Sequence, residues 1–211
     1  MRDVIIACDF KNQEDLFEFL KPFDGLNPFL KIGMEIFYKE GPQLVRKLKE
    51  MGCKIFLDLK LHDIPNTVKK SMAVLSRLDV DMCNLHAAGT VNMMKAALEG
   101  LTRPDGTRPM LIAVTQLTST SQEVMERDLL IGEPLDKVVM YYANNAKIAG
   151  LDGVVCSPLE AGKVKEFCGK DFVTVTPGVR FADGEVGDQV RVTTPERAKK
   201  IGTDYIVVGR P

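Results

Sequence analysis

KIFLDLKLHDIPNT, residues 54–67, decides how the rest of the chain is read. Its first four residues, 54–57, read as a short apolar strand. Side chains two apart on a strand share a face, so Asp58 and Lys60 are expected to point the same way at the strand's end. Charges withdrawn from water there are costly unless they are closely paired and hydrogen-bonded. One explanation is structural: an ion-paired strand end, with Asp63 or Asn66 capping a helix that starts near Pro65. The other is a functional site, because ionisable groups are also gathered in this way for chemistry.

Outward from this segment, short β-branched runs alternate with longer amphipathic stretches, the pattern of βαβ units around a parallel sheet. Strands are predicted at 4–8, 29–33, 54–59, 82–85, 110–114, 153–156, 172–175 and 205–208. Helices are predicted at 13–21, 38–51, 67–78, 91–99, 135–149, 159–167 and 195–201. Gly52, Gly100, Gly150 and Gly169 follow helical stretches and suit left-handed C-terminal caps. Eight strands with seven intervening helices fit an α/β (β/α)8 TIM barrel better than an open doubly wound sheet. With 211 residues and 45% hydrophobic content, 1–211 reads as a single barrel domain. The helix expected after the eighth strand is missing before Pro211, which suggests an incomplete sequence. The sequence has no GxGxxG or GxxxxGK[ST] loop to favour a dinucleotide or Walker-type site.

Catalytic groups in such barrels gather at the C-terminal ends of the strands. Asp9, Lys31, Asp58, Lys60, Thr118, Arg180, Gly209 and Arg210 all fall in or just after predicted strands, so charge converges on one mouth. Consecutive strands are neighbours, which sets Asp9, Lys31, Asp58 and Lys60 along one arc with alternating sign. At ~4 Å and an effective dielectric of ~20, each opposite pair interacts by roughly 4 kcal/mol before desolvation is subtracted. A lysine among carboxylates keeps its proton, so Lys60 reads as an acid or electrostatic stabiliser and not as a Schiff-base amine.

A phosphate-binding end is predicted opposite this reactive end. Residues 174–195, TVTPGVRFADGEVGDQVRVTTP, leave a strand and carry Gly184 and Gly187 in a polar loop that suits a mobile flap or an ordinary solvated loop. Arg180 stands at its root and Gln189 near its far end. An arginine fork suits phosphate oxygens, and the loops after strands seven and eight commonly build such a site in barrels. VVGRP, residues 207–211, supplies Gly209 and Arg210 there, and a phosphorylated small-molecule substrate follows.

Composition narrows the partners. A net charge of −1, with no long block of like charge, argues against binding nucleic acid or an anionic membrane surface by bulk electrostatics. Five cysteines without a CxxC pair read as small core residues in a reducing compartment, and two histidines make a structural zinc site an unlikely use of this chain. The N-terminus reaches Asp9 before a signal-like apolar core forms, and nothing approaches a membrane span, so a cytoplasmic protein is expected. His62 and His86 read as local packing residues.

Taken in order, IACDF at 6–10, FLKIGMEIF at 29–37, FLDLKLHDIPNTV at 56–68, HAAG at 86–89, VTQLTS at 114–119, GLDGVVCS at 150–157, VTPGVR at 175–180 and VVGRP at 207–211 resemble the orotidine 5′-monophosphate decarboxylase family over nearly the whole chain. The resemblance implies a charged catalytic network of Lys31, Asp58, Lys60 and Asp63. It implies ribose contacts from Asp9 and Lys31, a pyrimidine contact from Thr118, and a phosphate grip from Arg180, Gln189, Gly209 and Arg210. It implies a homodimer in which Asp63 and Thr67 enter the partner's site, and a decarboxylation that uses no metal or organic cofactor. Two other readings are kept. Magnesium-dependent sugar-phosphate decarboxylases and aldolases share the barrel and the DxKxxD pattern but carry an acid where this chain has Lys31. A non-catalytic nucleotide-binding barrel would be expected to lack Asp58 or Lys60, and both are present.

Overall fold

The computed structural model describes residues 1–179 and 193–209. Arg180, Gly184, Gly187, Gln189 and Arg210, all singled out above, lie outside the described residues. The strands β1 (Asp3–Ala7), β2 (Phe29–Gly33), β3 (Lys54–Leu61), β4 (Met82–His86), β5 (Met110–Val114), β6 (Gly153–Val155), β7 (Val173–Thr176) and β8 (Tyr205–Val208) close in sequence order into a parallel barrel, with β8 pairing back onto β1. The expected (β/α)8 barrel is therefore the fold.

Apart from β1, where Val4 is exposed, the strands are largely buried on both faces, which is why they read as continuous apolar runs. Ile5, Phe29, Phe56, Met82, Ile112, Val175 and Val207 point inward and fill the barrel. Their neighbours Leu30, Ile55, Leu57, Cys83, Leu111 and Val154 point outward into the layer beneath the helices. Two-residue alternation then sets Lys31 above Phe29, Asp58 above Phe56 and Asn84 above Met82, all towards the C-terminal mouth. Register supports this, since Lys31 pairs with Phe56 and Gly33 with Asp58.

The helices among the described residues are α1 (Gln13–Leu20), α2 (Met34–Glu40), α3 (Pro42–Glu50), α4 (Pro65–Leu75), α5 (Thr90–Leu101), α6 (Gln122–Leu129), α7 (Leu135–Ile148), α8 (Pro158–Cys168) and α9 (Pro195–Ile201). Four expectations are corrected. The helix predicted at 38–51 is two, because Gly41 adopts φ +70° and Pro42 starts the second. Helix α6 was not foreseen, although Ser121 caps it by accepting from Val124 N. Helix α4 does begin at Pro65, but its cap is Ile64, with neither Asp63 nor Asn66 capping it by side chain. Asp63 Oδ1 instead accepts from Ile64 N at 2.6 Å.

The fourth correction concerns Gly100, which lies inside α5 and caps nothing. Gly52, Gly150 and Gly169 do hold positive φ, at +83°, +86° and +104°. Gly100 is needed for a different reason: a Cβ there would stand 2.1 Å from the backbone oxygen of Lys69 on α4. The two helices approach backbone to backbone at this point.

The N-terminal floor of the barrel is tied by a repeated device. Asp81, Asp152 and Asp204 immediately precede β4, β6 and β8, and each accepts from an N–H of the preceding strand, at Ile55 (2.8 Å), Leu111 (2.7 Å) and Thr174 (2.9 Å). Each also meets a cation, Lys49 at 2.8 Å, Arg108 at 2.5 Å and Lys165 at 2.7 Å. These carboxylates satisfy strand-end donors that would otherwise be buried without partners. All five cysteines are free and buried, as core residues are. Among the described residues no helix is long and apolar enough to cross a membrane.

Gly100→Ala sets two effects against each other. Helix propensity favours alanine by about 1 kcal/mol, while the clash with Lys69 O forces apart two packed helices at roughly 1–3 kcal/mol. The clash wins because its partner is backbone. Urea unfolding of Gly100→Ala should show a lower midpoint at unchanged slope, a net loss of up to roughly 2 kcal/mol.

Candidate active site

Three adjacent strands bring the charges together. Lys31 Nζ lies 3.1 Å from Asp9 Oδ1 and 3.3 Å from Asp58 Oδ2. Lys60 Nζ lies 2.7 Å from Asp58 Oδ1. The side chains of Lys31 and Asp58 are only 12% and 10% exposed, whereas Asp9 is 54% exposed and belongs to the rim. Gly33 leaves room for this chain of charges, since a Cβ there would stand 3.3 Å from Asp9 Oδ1 and 3.5 Å from Lys31 Nζ.

Asp58 and Lys60 do meet, but not by plain strand alternation. From Leu57 to Leu61, β3 takes four steps against the two that β4 takes from Cys83 to Leu85, so β3 bulges here. Lys60 itself adopts φ +51°, a left-handed conformation that a side chain rarely takes. Bulges re-aim side chains beside functional sites, and this one turns the ammonium back over Asp58. The missed residue is Asn84, buried at 1% exposure, whose Nδ2 donates to Asp58 Oδ1 at 2.7 Å and whose Oδ1 accepts from Lys60 N at 2.8 Å. Its signal was an amide at an inward position of an apolar strand, where a polar group must have partners.

Burial is the largest influence on both Asp58 and Lys31, and it opposes their charges. For Asp58, the Lys31 and Lys60 ammonium groups and the donors from Lys60 and Asn84 outweigh burial and hold the carboxyl below its ordinary range. For Lys31, Asp58 and Asp9 outweigh burial and raise its pKa above the usual lysine value. The contribution of Asp58 to stability is thus present above its unfolded pKa and lost as pH falls through the folded value. That of Lys31 is present below its unfolded pKa and lost as pH rises through the folded one. Lys31 and Asp58 both keep their charges throughout the neutral range.

Lys31, Asp58, Lys60, Asn84 and Thr118 line one cavity of about 200 Å³ at the mouth, floored by Phe56, Val175 and Val207. Thr118 is buried there, after β5, and Gly209 follows β8 as an exposed residue. Asp63 and Thr67 are not drawn into this cavity in the single chain. Both are exposed, and with Met34, Tyr38, Lys60 and His62 they line a separate open cleft of about 350 Å³. His62, in the β3–α4 turn, and His86, at the end of β4, have ring centroids 5.7 Å apart. The pKa of His86 is lowered, first by burial, then by His62 and Lys60, with Asp58 acting in the opposite sense.

A closed parallel barrel with an interlocked row of ammonium and carboxylate groups at its C-terminal mouth defines a TIM-barrel enzyme site. The chain belongs to the orotidine 5′-phosphate decarboxylase / HUMPS family, whose model matches residues 2–211. It is 57% identical over 212 aligned positions to an orotidine 5′-phosphate decarboxylase of Bacillus cereus (strain AH820), covering 99% of this chain and 89% of that protein. Among solved structures, orotidine 5′-phosphate decarboxylase from Lactobacillus acidophilus superposes with a TM-score of 0.89 at 43% identity, covering 100% of this chain and 91% of that one. An uncharacterized conserved protein from Geobacillus kaustophilus gives 0.87 at 48% identity, covering 98% and 90%.

The lowered pKa of His86 carries a sign. Unfolded, the imidazole takes up its proton as pH falls through about 6.5, while the folded protein resists it, so stability is fully present above that pH and is lost on acidification. His86→Gln should therefore lose less melting temperature than the parent protein between about pH 7 and about pH 5. Thermal melts at the two pH values check this.

Proposed function

We infer that the protein is an orotidine 5′-phosphate decarboxylase, which converts orotidine 5′-monophosphate to uridine 5′-monophosphate and carbon dioxide in pyrimidine biosynthesis. Family membership and the 57% identity to a curated decarboxylase support the reaction. The observation that carries it is the clamped carboxylate: Asp58 holds Lys60 at 2.7 Å on one oxygen and Lys31 at 3.3 Å on the other.

In this reading the bond between C6 of the pyrimidine and its carboxylate carbon breaks, carbon dioxide leaves, and the electron pair stays on C6. Lys60 stabilises that pair with a fixed ammonium in a water-poor cavity and then transfers a proton from Nζ to C6. The neutral amine regains its proton from solvent. Asp58 faces the departing carboxylate, and the repulsion between them is relieved as carbon dioxide forms. Asp9 and Lys31 hold the ribose and Thr118 contacts the base. Arg180, Gln189, Gly209 and Arg210 grip the phosphate, and this remote binding contributes to the chemical step.

The working unit is a homodimer of single-domain chains, with Asp63 and Thr67 of each chain completing the site of the other. Their exposure beside Lys60 supports this, as do the exposed apolar side chains of Met34 (42%), Tyr38 (70%) and Ile64 (66%) around them. The buried free thiols suit a cytoplasmic enzyme. The donor set speaks against the magnesium-dependent reading, because the buried Asp58 is already flanked by two ammonium groups that repel a divalent cation.

Loss of ultraviolet absorbance by orotidine 5′-monophosphate in the presence of EDTA tests the assignment. Turnover should proceed undiminished. Lys60→Ala should lower kcat by at least about 10³-fold, and Arg210→Ala should chiefly raise KM. A requirement for added magnesium would overturn the reading in favour of the sugar-phosphate enzymes.

The shared site has its own test. Lys60→Ala and Asp63→Asn homodimers should each be nearly inactive. An equimolar, re-equilibrated mixture should regain about one quarter of parental activity, because half the dimers then carry one intact site. No recovery on mixing would exclude the exchange of Asp63 between subunits.

A further inference from the structure

We propose that Asn84 is a positioning residue for the decarboxylation, holding Lys60 in its left-handed conformation and fixing the carboxylate of Asp58 with a single amide. The proposal rests on the decarboxylase reading and adds to it a residue that acts through two others.

The geometry is a closed loop of contacts. Asn84 Oδ1 accepts from the backbone N of Lys60 at 2.8 Å, and Asn84 Nδ2 donates to Asp58 Oδ1 at 2.7 Å. The same Oδ1 receives Lys60 Nζ at 2.7 Å. Lys60 is therefore held at both ends, its backbone by the amide oxygen and its ammonium by a carboxylate that the amide nitrogen orients. The amide can sit only one way round. Reversed, it would set oxygen against carboxylate and N–H against N–H.

Three features make this more than support for an irregular strand. The bulge lies between Leu57 and Leu61, which brackets both charged residues. Lys60 holds φ +51°, a conformation that persists in a non-glycine residue only where its surroundings impose it. Finally, Asn84 is 1% exposed, and its two hydrogen bonds both run to the charged array. With the amide gone, Lys60 loses the acceptor that offsets its backbone conformation, and Asp58 loses the donor that sets its rotamer. Both reacting groups then drift, and displacement of catalytic groups by about 1 Å is worth about 10²-fold in rate.

Asn84→Ala should lower kcat by roughly 10²-fold while changing KM for orotidine 5′-monophosphate by less than about threefold, since the phosphate contacts are remote. Combined with Asp58→Asn, the loss should be much smaller than the product of the separate losses, because the two residues act as one unit. Asn84→Asp preserves volume and serves if the alanine variant does not fold. Its new carboxyl repels Asp58 when ionised but donates to it when protonated, so its kcat should recover towards acid pH relative to the parent enzyme. A crystal structure of Asn84→Ala should show Lys60 out of the left-handed region, with Nζ away from Asp58; in Asn84→Asp, which keeps an acceptor for Lys60 N, the Asp58 carboxylate should be the group that moves.

A kcat within about threefold of the parent, a loss confined to KM, multiplicative losses with Asp58→Asn, or an unshifted pH profile would each overturn the proposal. So would a structure of Asn84→Ala in which Lys60 and Asp58 keep their present contact. Turnover by the parent protein decides the decarboxylase reading separately. If the parent were inactive, the variant structure would still decide whether Asn84 holds Lys60.

Discussion

The constraint on which the site depends is the burial of one carboxylate, Asp58, among cations that cannot leave it. Burial alone would push its pKa up, and only the agreement of Lys31, Lys60 and Asn84 reverses that direction. These partners come from β2, from the bulged end of β3 and from β4, so the charge is tolerated only once neighbouring strands have closed at the right register. Networks of this kind are often no more stabilising than apolar side chains of the same volume. Their presence in a barrel whose lower layers are filled by Phe29, Phe56, Met82 and Ile112 is therefore better explained by chemistry than by stability.

The two ends of the barrel use aspartate differently. At the floor, Asp81, Asp152 and Asp204 each accept a strand N–H and pair with one or two cations, an arrangement that satisfies donors and fixes strand starts. At the mouth, Asp58 takes its hydrogen bonds from side chains alone in the contacts described here, and two of its partners are ammonium groups. The floor holds the fold together through backbone groups. The mouth leaves side chains facing a cavity.

Much of this was legible in the chain because parallel barrel strands are buried on both faces and so stand out as apolar runs. Strand ends and strand order brought Lys31 and Asp58 to one mouth, where the structure has them. Lys60 was matched to Asp58 by strand alternation, yet the contact arises from a bulge and a left-handed residue that no two-residue period describes. Gly100 resembled a helix stop because sequence spacing does not reveal that Lys69 O lies against it. The floor aspartates were overlooked because V-D-M, L-D-G and T-D-Y resemble ordinary polar strand starts until the preceding strand's N–H is known to lie against them. Asn84 was overlooked for a related reason: its partners are in another strand, 24 and 26 residues away in sequence. Helix α6 was missed because its sequence, QEVMERDL, carries few apolar residues and buries only Met125.

The array is also balanced in charge, and this bears on how it acts. Asp9 and Asp58 offset Lys31 and Lys60, so these four groups by themselves carry no net charge with which to attract an anion. What it provides is a fixed arrangement, in which charge appearing near Lys60 meets an ammonium already in place and no solvent need reorganise. For that to work, the proton must not migrate within the array. Raising the pKa of Lys31 while lowering that of Asp58 drives their proton affinities apart, which blocks transfer from one to the other across the neutral range. Lys60 differs from Lys31 in exposure, 27% against 12% for the side chain, and it borders both the buried cavity and the open cleft. In the proposed reaction, the lysine that gives up a proton is thus the one that water can reach to replace it, and the more buried lysine is the one that keeps Asp58 charged.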